Sequence, residues 1–281
     1  MKTTIEDLVK QVKEGNKNAL EALIRSIQDF VYGLAIRMLY YPADAEDATQ
    51  EILVKIITRL DSFRHESAFT TWVYKIASNH LLTINKCHAE RMEMTFEKYG
   101  QQVDRWIANA TPTDHLHAEQ YLIVREMMLR CMQGMLLCLD RDLRIAYILG
   151  EIFEVTSDEA ALILNTSSIA FRKRLSRART RLRNFMQKKC GLVNPVNPCR
   201  CAQHVNRAIK SGFVSPDRLL FATHPCHDQD DTTHLNQIKE MKEIERVAAL
   251  FRSHPDYAAP EDFVLGIRKL VDSGKFKVFN N

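Results

Sequence analysis

The chain has 281 residues, of which 46% are hydrophobic, and its 39 Lys+Arg against 35 Asp+Glu give a formal net charge of +4. This length predicts about two domains with a buried core, and the balanced charge by itself neither indicates nor excludes nucleic-acid binding. The longest apolar stretches, such as 30–36, are too short to span a bilayer, and the acidic N-terminus is unlike a signal peptide. An odd number of cysteines, 7, favours a reduced, cytosolic protein.

Helical periodicity dominates from Ile5 to about Cys190, with no convincing strand pattern. Apolar residues recur at helical spacing in the stretches 19–39, 45–60 and 72–82, and residues 61–70 interrupt the pattern as a loop. We therefore predict an all-α fold whose domain ranges are these: a helical domain at 1–98, a flexible linker at 99–118, a second helical domain at 119–189, and a small, mostly helical extension at 190–281.

The first candidate surface is acidic and lies on the predicted helix that Asp44–Glu51 opens. Asp47 and Glu51 sit one turn apart and point outward, as do Glu46 and Gln50. Acids in a first turn also suit the helix dipole, which explains part of the pattern without a function. No His or Cys shares their face, so we expect a docking surface for another protein rather than a catalytic site.

Aromatic and cationic side chains alternate just downstream of this helix. Phe63, Phe69 and Trp72 are interleaved with Arg64 and Lys75. Such a mixture binds single-stranded nucleic acid through base stacking and phosphate contact. Helical spacing equally favours Trp72 as a core residue, so both interpretations stay open.

The sharpest local pattern predicts a helix-turn-helix between Thr156 and Phe185. Thr156 and Glu159 have capping-box spacing, and Ser167 is a candidate N-cap for a second, longer helix. The apolar stripe of that longer helix consists of Phe171, Leu175, Ala178, Leu182 and Phe185. Its remaining faces are strongly basic, through Arg172, Lys173, Arg174, Arg177, Arg179, Arg181, Arg183, Lys188 and Lys189. This geometry places a recognition helix in the major groove, although a basic, solvated face alone is common.

The extension contains Cys190, Cys199, Cys201 and His204, whose C-x-C and C-x-x-H spacings suit zinc. A second small cluster consists of His224, Cys226 and His227. Incidental cysteines in a proline-ordered loop, or a redox-responsive thiol pair, are the alternatives. Because of this content and its position, we hypothesise that the extension regulates the rest of the chain as a built-in inhibitor.

Three motifs together resemble the bacterial RNA polymerase sigma factors of the extracytoplasmic-function (ECF) group, over about residues 15–187. They are D-A-E-D-A-T-Q-E at 44–51, F-R-x-E-S-x-F-x-T-W-V-Y-K-I-A-x-N at 63–79 and R-L-S-R-A-R-x-R-L at 174–182. The resemblance implies two helical domains, called region two and region four, and a cytoplasmic protein that directs promoter recognition without being an enzyme. Its implied partners are core RNA polymerase (β′ clamp helices and β flap), promoter DNA and an anti-sigma factor. No membrane insertion is implied, and no cofactor is required apart from zinc in the extension.

The resemblance also assigns roles to residues. Polymerase docking would use Asp44, Asp47, Gln50 and Glu51. Binding of the −10 element, including capture of a flipped base, would use Phe63, Arg64, Ser67, Phe69, Trp72, Lys75 and Asn79. Binding of the −35 element would use Ser167, Arg172, Lys173, Arg174 and Arg177.

Two other classes of protein remain open from the sequence. A stand-alone helix-turn-helix regulator explains residues 156–185 but not 44–79, and predicts tight duplex binding as a dimer. A zinc enzyme built on the extension lacks a general base beside the ligands.

Overall fold

The computed structural model describes residues 4–85, 88–110, 118–224, 238, 241, 243–260 and 262–272. These residues are mainly helical and contain no β-strand, only isolated bridges, which confirms the all-α prediction. None of the described helices is long and apolar enough to cross a membrane. The helices are α1 (Ile5–Lys13), α2 (Lys17–Leu39), α3 (Pro42–Thr58), α4 (Phe69–Thr83), α5 (His88–Arg91), α6 (Phe96–Ile107), α7 (Ala118–Leu137), α8 (Arg141–Tyr147), α9 (Ser157–Leu164), α10 (Ser168–Lys189), α11 (Val205–Lys210), α12 (Glu243–Arg252) and α13 (Asp262–Asp272).

The first module is a bundle in which α2 packs against α1, α3 and α4. Local signals fix where its helices begin. Thr4 and Asp7 form a capping box at α1, the Asn16 side chain caps α2, and Pro42 occupies the first turn of α3. The interior of α2, including Ile27 and Leu34, is fully buried. The bundle thus holds α3 and α4 side by side.

The second module contains the helix-turn-helix, α9 and α10, packed on α8. Asp140 caps α8, whose last turn continues as a π-helix at Ile148–Ile152. The buried stripe of α10 differs from the sequence prediction at its end. Met186 is buried there, while Phe185 is half-buried and stacks near Tyr99 of α6.

The predicted flexible linker at 99–118 is wrong over its first part, because α6 fills residues 96–107. Thr95 caps this helix, and its inward face, which includes Tyr99 and Val103, packs toward α10. Apolar residues at 96, 99, 103, 106 and 107 recur at helical spacing, so the sequence contains the pattern that the linker prediction missed. Residues 111–117, which include the predicted breaker, lie outside the described residues.

The two modules are packed together rather than separate. Helix α9 lies on α4, and α8 contacts both α2 and α4. At this junction the nearly buried Glu90 accepts hydrogen bonds from Arg141 at 2.9 Å and from Arg144 at 3.0 Å. Burial raises the pKa of Glu90, but the hydrogen bond from Arg141 and the nearby charge of Arg144 outweigh it and bring the pKa to about 2. Arg144 also donates to the Met38 carbonyl of α2.

The described parts of the extension contain the helices α11, α12 and α13, in line with the prediction that it is mostly helical. It is anchored on the second module through the buried Glu126 of α7. That carboxylate accepts the backbone amides of Leu220, Phe221 and Ala222, each at 2.8 Å. A buried carboxylate that is fully hydrogen-bonded in this way ties the extension tightly to α7.

Candidate nucleic-acid and partner interface

The acidic surface of α3 is where the sequence predicts it. Asp47, Gln50 and Glu51 are exposed. Asp44 is half-buried, and its carboxylate accepts the His88 backbone amide of α5 at 3.2 Å, so it already has a partner within the chain. Three of the four predicted docking side chains therefore face outward on consecutive turns of one rigid helix.

The predicted −10 surface is an open cleft of about 490 Å³ between the loop before α4 and α4 itself. It brings together Arg64, Ser67, Trp72 and Lys75 of the predicted set, and Leu162 of α9 lines it from the opposite side. Arg64, Lys75 and Asn79 are exposed, and Trp72 is half-buried. An aromatic ring beside cations in an open cleft can accept a base and its phosphate.

Phe63 and Phe69 form the aromatic base of this cluster, and Phe63 also lines the cleft. They are 4% and 1% exposed. Their rings lie 5.2 Å apart, and each packs against Trp72. Most of each ring is covered by protein, so both rings hold Trp72 in position, and their contact with DNA stays a prediction.

The helix-turn-helix has the predicted geometry. Thr156 and Glu159 make both bonds of the capping box, and Asn165 turns the chain with a left-handed φ of 49°. The Ser167 side chain caps α10 by accepting the Ala170 amide at 3.1 Å. With its hydroxyl engaged in the cap, Ser167 sets the start of α10.

The basic residues of α10 divide into exposed and partnered groups. Arg172, Lys173 and Arg177 are exposed, whereas the half-buried Arg174 pairs with Asp142 of α8 at 3.4 Å. Arg179 pairs with Glu151 and so faces the extension. The first turns of α10 therefore present an open cationic face suited to duplex DNA.

The predicted zinc residues converge only in part. The backbones of Cys190 and Cys199 form an isolated β-bridge. The Cys199 Sγ atom lies 3.6 Å from His204 Nε2. Sequence reasoning missed Cys131 of α7, which lies close enough to interact electrostatically with Cys190 and Cys199. No sequence pattern could have found it, because it is 59 positions from Cys190 and belongs to another module.

As the chain stands, no three Cys, His, Asp or Glu side chains in the described parts are grouped closely enough to hold a metal ion. The described cysteines carry no disulfide. Cys226 and His227 of the second predicted cluster lie outside the described residues.

Comparisons with known proteins agree with this architecture. Residues 23–84 match the family model Sigma-70 region 2, and residues 129–182 match Sigma-70, region 4. The chain is 29% identical to the ECF RNA polymerase sigma factor SigW of Bacillus subtilis over 66% of this chain and 99% of that protein. It is 30% identical to the ECF RNA polymerase sigma-E factor of Escherichia coli over 66% of this chain and 95% of that protein.

The chain therefore belongs to the ECF sigma factors, and it acts in transcription initiation as a sigma factor. The stand-alone regulator is not favoured, because region two is present as well as the helix-turn-helix. These relatives are covered almost from end to end, yet they leave about a third of this chain unmatched.

Proposed function

We propose that Asp47, Gln50 and Glu51 form the surface that docks on core RNA polymerase, at the β′ clamp helices. The exposure of these three side chains on one rigid helix carries this proposal. In this role the protein lends promoter specificity to the polymerase in the cytoplasm and catalyses no reaction itself. A contact to the β flap, and a separate anti-sigma factor, stay predictions.

The DNA contacts divide between the modules. The open face of α10 supports contact with the −35 duplex through Arg172, Lys173 and Arg177. The cleft around Trp72, Arg64 and Lys75 supports capture of an unstacked base of the −10 element. A pocket that accepts an extruded base offsets part of its unstacking, which costs a few kcal/mol.

Charge reversal on α3 tests the docking proposal. Asp47→Arg places a cation in the centre of the acidic face, and we expect it to weaken binding to purified core polymerase by about tenfold or more, because like-charge juxtaposition across an interface costs several kcal/mol. Glu97→Arg on α6 is the control, since it makes the same charge change on an exposed residue of another helix. Equal affinities of the two variants would refute docking through α3.

We also propose a zinc site whose ligands are Cys131, Cys190, Cys199 and Cys201, with His204 as an alternative ligand. Binding would require these thiols to move closer together than they are in the structure. The support is their chemistry and burial. Thiolate and imidazole are the ligands that zinc prefers in proteins. His204 is 1% exposed, and its Nδ1 atom has no hydrogen-bond partner among the residues that the structure describes.

The backbone around these cysteines also forms an ordered loop, which favours a specific site over cysteines that meet by chance. A Cβ at Gly191 would lie 2.2 Å from the Cys199 carbonyl oxygen, so glycine is required where these segments meet. The Asn197 amide donates to the Gln187 and Cys190 carbonyls and closes the loop.

Metal analysis of the purified full chain tests the zinc proposal. We expect about one zinc per chain after preparation in a thiol reductant, and loss of the metal in Cys131→Ser and Cys199→Ser. Cys138→Ser is the matched control, since Cys138 directly follows α7 and also carries no disulfide. A chain that binds no zinc at neutral pH would leave the redox or purely structural alternatives.

A further inference from the structure

We propose that the C-terminal extension is an internal partner that occupies the polymerase-docking side of region two and holds the two modules closed. This inference rests on the proposed docking role of α3. The occupant is α13, and its seat is the groove between α2 and α3.

The seat of α13 is apolar and specific. Phe263, Val264 and Ile267 are 3%, 2% and 4% exposed, whereas Leu265 on the outer side of the same helix is 54% exposed. Val264 and Ile267 face Leu20 and Ile24 of α2. An amphipathic helix with its apolar side in a groove is a common way in which proteins bind a partner helix.

This seat adjoins the docking face of α3. Phe263, Gly266 and Ile267 line the same cleft as Gln50 and Glu51. A helix with its side chains is about 10–12 Å across, so a polymerase helix seated on those two residues competes with α13 for space. Farther back along α3, Arg218 of the extension is close enough to lower the pKa of Glu46, which burial and Asp47 raise.

The segment before α13 joins both modules. On region two, Asp29 accepts the Ala259 amide at 2.9 Å, and Arg37 donates to the Pro255 carbonyl at 3.2 Å. On region four, Gln133 of α7 donates to the Tyr257 hydroxyl at 3.0 Å. The partners on the extension lie within the short segment 255–259, so release of this segment would break its bonds to both modules together.

Helix α12 adds a second contact with region four. Arg252 donates to the Glu151 carbonyl and carboxylate at 2.9 and 2.8 Å. Glu151 also pairs with Arg179 of α10, so the extension reaches the recognition helix through one shared carboxylate. The closed arrangement, in which α9 lies on α4, is thereby stabilised by contacts of the extension with region four.

Two substitutions in the full chain should shift the equilibrium between seated and released α13 in opposite directions. Ile267→Asp puts a charge into the apolar seat and should release α13, because an unpaired buried charge is strongly unfavourable. If α13 is docked in about nine chains of ten, its release raises the apparent affinity for core polymerase about tenfold. Leu265→Asp is the control with the same chemistry on the exposed side, and it should bind like the wild type.

Gly266→Ala is expected to act the other way. A Cβ there has nothing within 4 Å, so alanine fits. An isolated helix of this length is marginal in water, so α13 unfolds when it leaves its seat. Alanine in place of glycine stabilises the helical, seated form, which should lower polymerase affinity by about fivefold.

Fluorescence anisotropy with cognate core polymerase, alongside circular dichroism to confirm folding, provides the readout. A higher affinity for Ile267→Asp and a lower one for Gly266→Ala support the proposal. Unchanged affinities in both overturn it, and Gly266→Ala decides the matter if Ile267→Asp does not fold. Asp47→Arg, alone and combined with Ile267→Asp, separates the test of docking through α3 from the test of inhibition by the extension. If Asp47→Arg abolishes binding while the α13 variants have no effect, docking through α3 stands and inhibition by the extension falls.

Discussion

The two candidate DNA-binding surfaces differ in how accessible they are. The first turns of α10 present Arg172, Lys173 and Arg177 to solvent. The base-capture cleft on α4 instead faces α9, whose Leu162 forms part of its wall. The closed chain can therefore offer a rigid helix to duplex DNA, while capture of a single strand needs more room.

The physical tasks explain this difference. A recognition helix enters an existing major groove and requires no change in the protein. Capture of an extruded base requires a pocket that is open at the moment the duplex melts. The contacts that hold the modules together therefore affect the α4 surface more than the α10 surface.

The largest expected effect comes from breaking the junction between the modules. Glu90→Gln leaves Arg141 and Arg144 without their carboxylate, and loss of one partner of a buried ion pair typically costs about 3–5 kcal/mol. We expect the thermal midpoint to fall by roughly 10 °C. Circular dichroism melts at neutral pH measure it, with the exposed Glu66→Gln as control. A shift no larger than that of the control would mean that this junction does not stabilise the closed form.

The pH dependence of the same variant gives an internal check. The pKa of Glu90 is lowered to about 2 from an ordinary value of 4.5. A carboxylate with a lowered pKa stabilises the fold above its unfolded pKa, and its contribution is lost as the pH falls through the folded value. The stability difference between wild type and Glu90→Gln should thus be full above pH 4.5 and shrink toward pH 2.

The sequence predicted local features better than the packing of modules. The caps at Thr156 and Ser167 and the acidic face around Asp47 depend on neighbouring residues, so periodicity and spacing predict them. The burial of Phe63, the approach of Cys131 to Cys190 and the seat of α13 depend on contacts between distant segments. No local pattern contains those contacts.

A smaller effect is expected at the exposed cationic face of α10. Arg177 is exposed and makes no ion pair within the described residues, whereas Arg179 is paired with Glu151. Arg177→Ala should weaken duplex binding and reduce the slope of log K against log salt by about one, because one phosphate contact is lost. Salt titrations with a promoter duplex measure it. Arg179→Ala is the matched control, and a slope change as large as that of Arg177→Ala would mean that α10 binds DNA with a different face.

The smallest effect is expected at the cleft on α4, which α9 partly covers. Leu162 is 58% exposed but lines the cleft that contains Trp72, so its removal widens the cleft at little cost in stability. Leu162→Ser should raise the affinity for a single-stranded −10 oligonucleotide by only about twofold, because α9 itself still lies over α4.

The fluorescence of Trp72 reports stacking directly once Trp106 is replaced by Phe, since the chain has 2 Trp. Ile169→Ser is the matched control, as an apolar residue of similar exposure, 60%, at the start of α10. If both variants raise the affinity equally, the gain comes from general surface polarity, and the closure of α9 over α4 does not limit base capture.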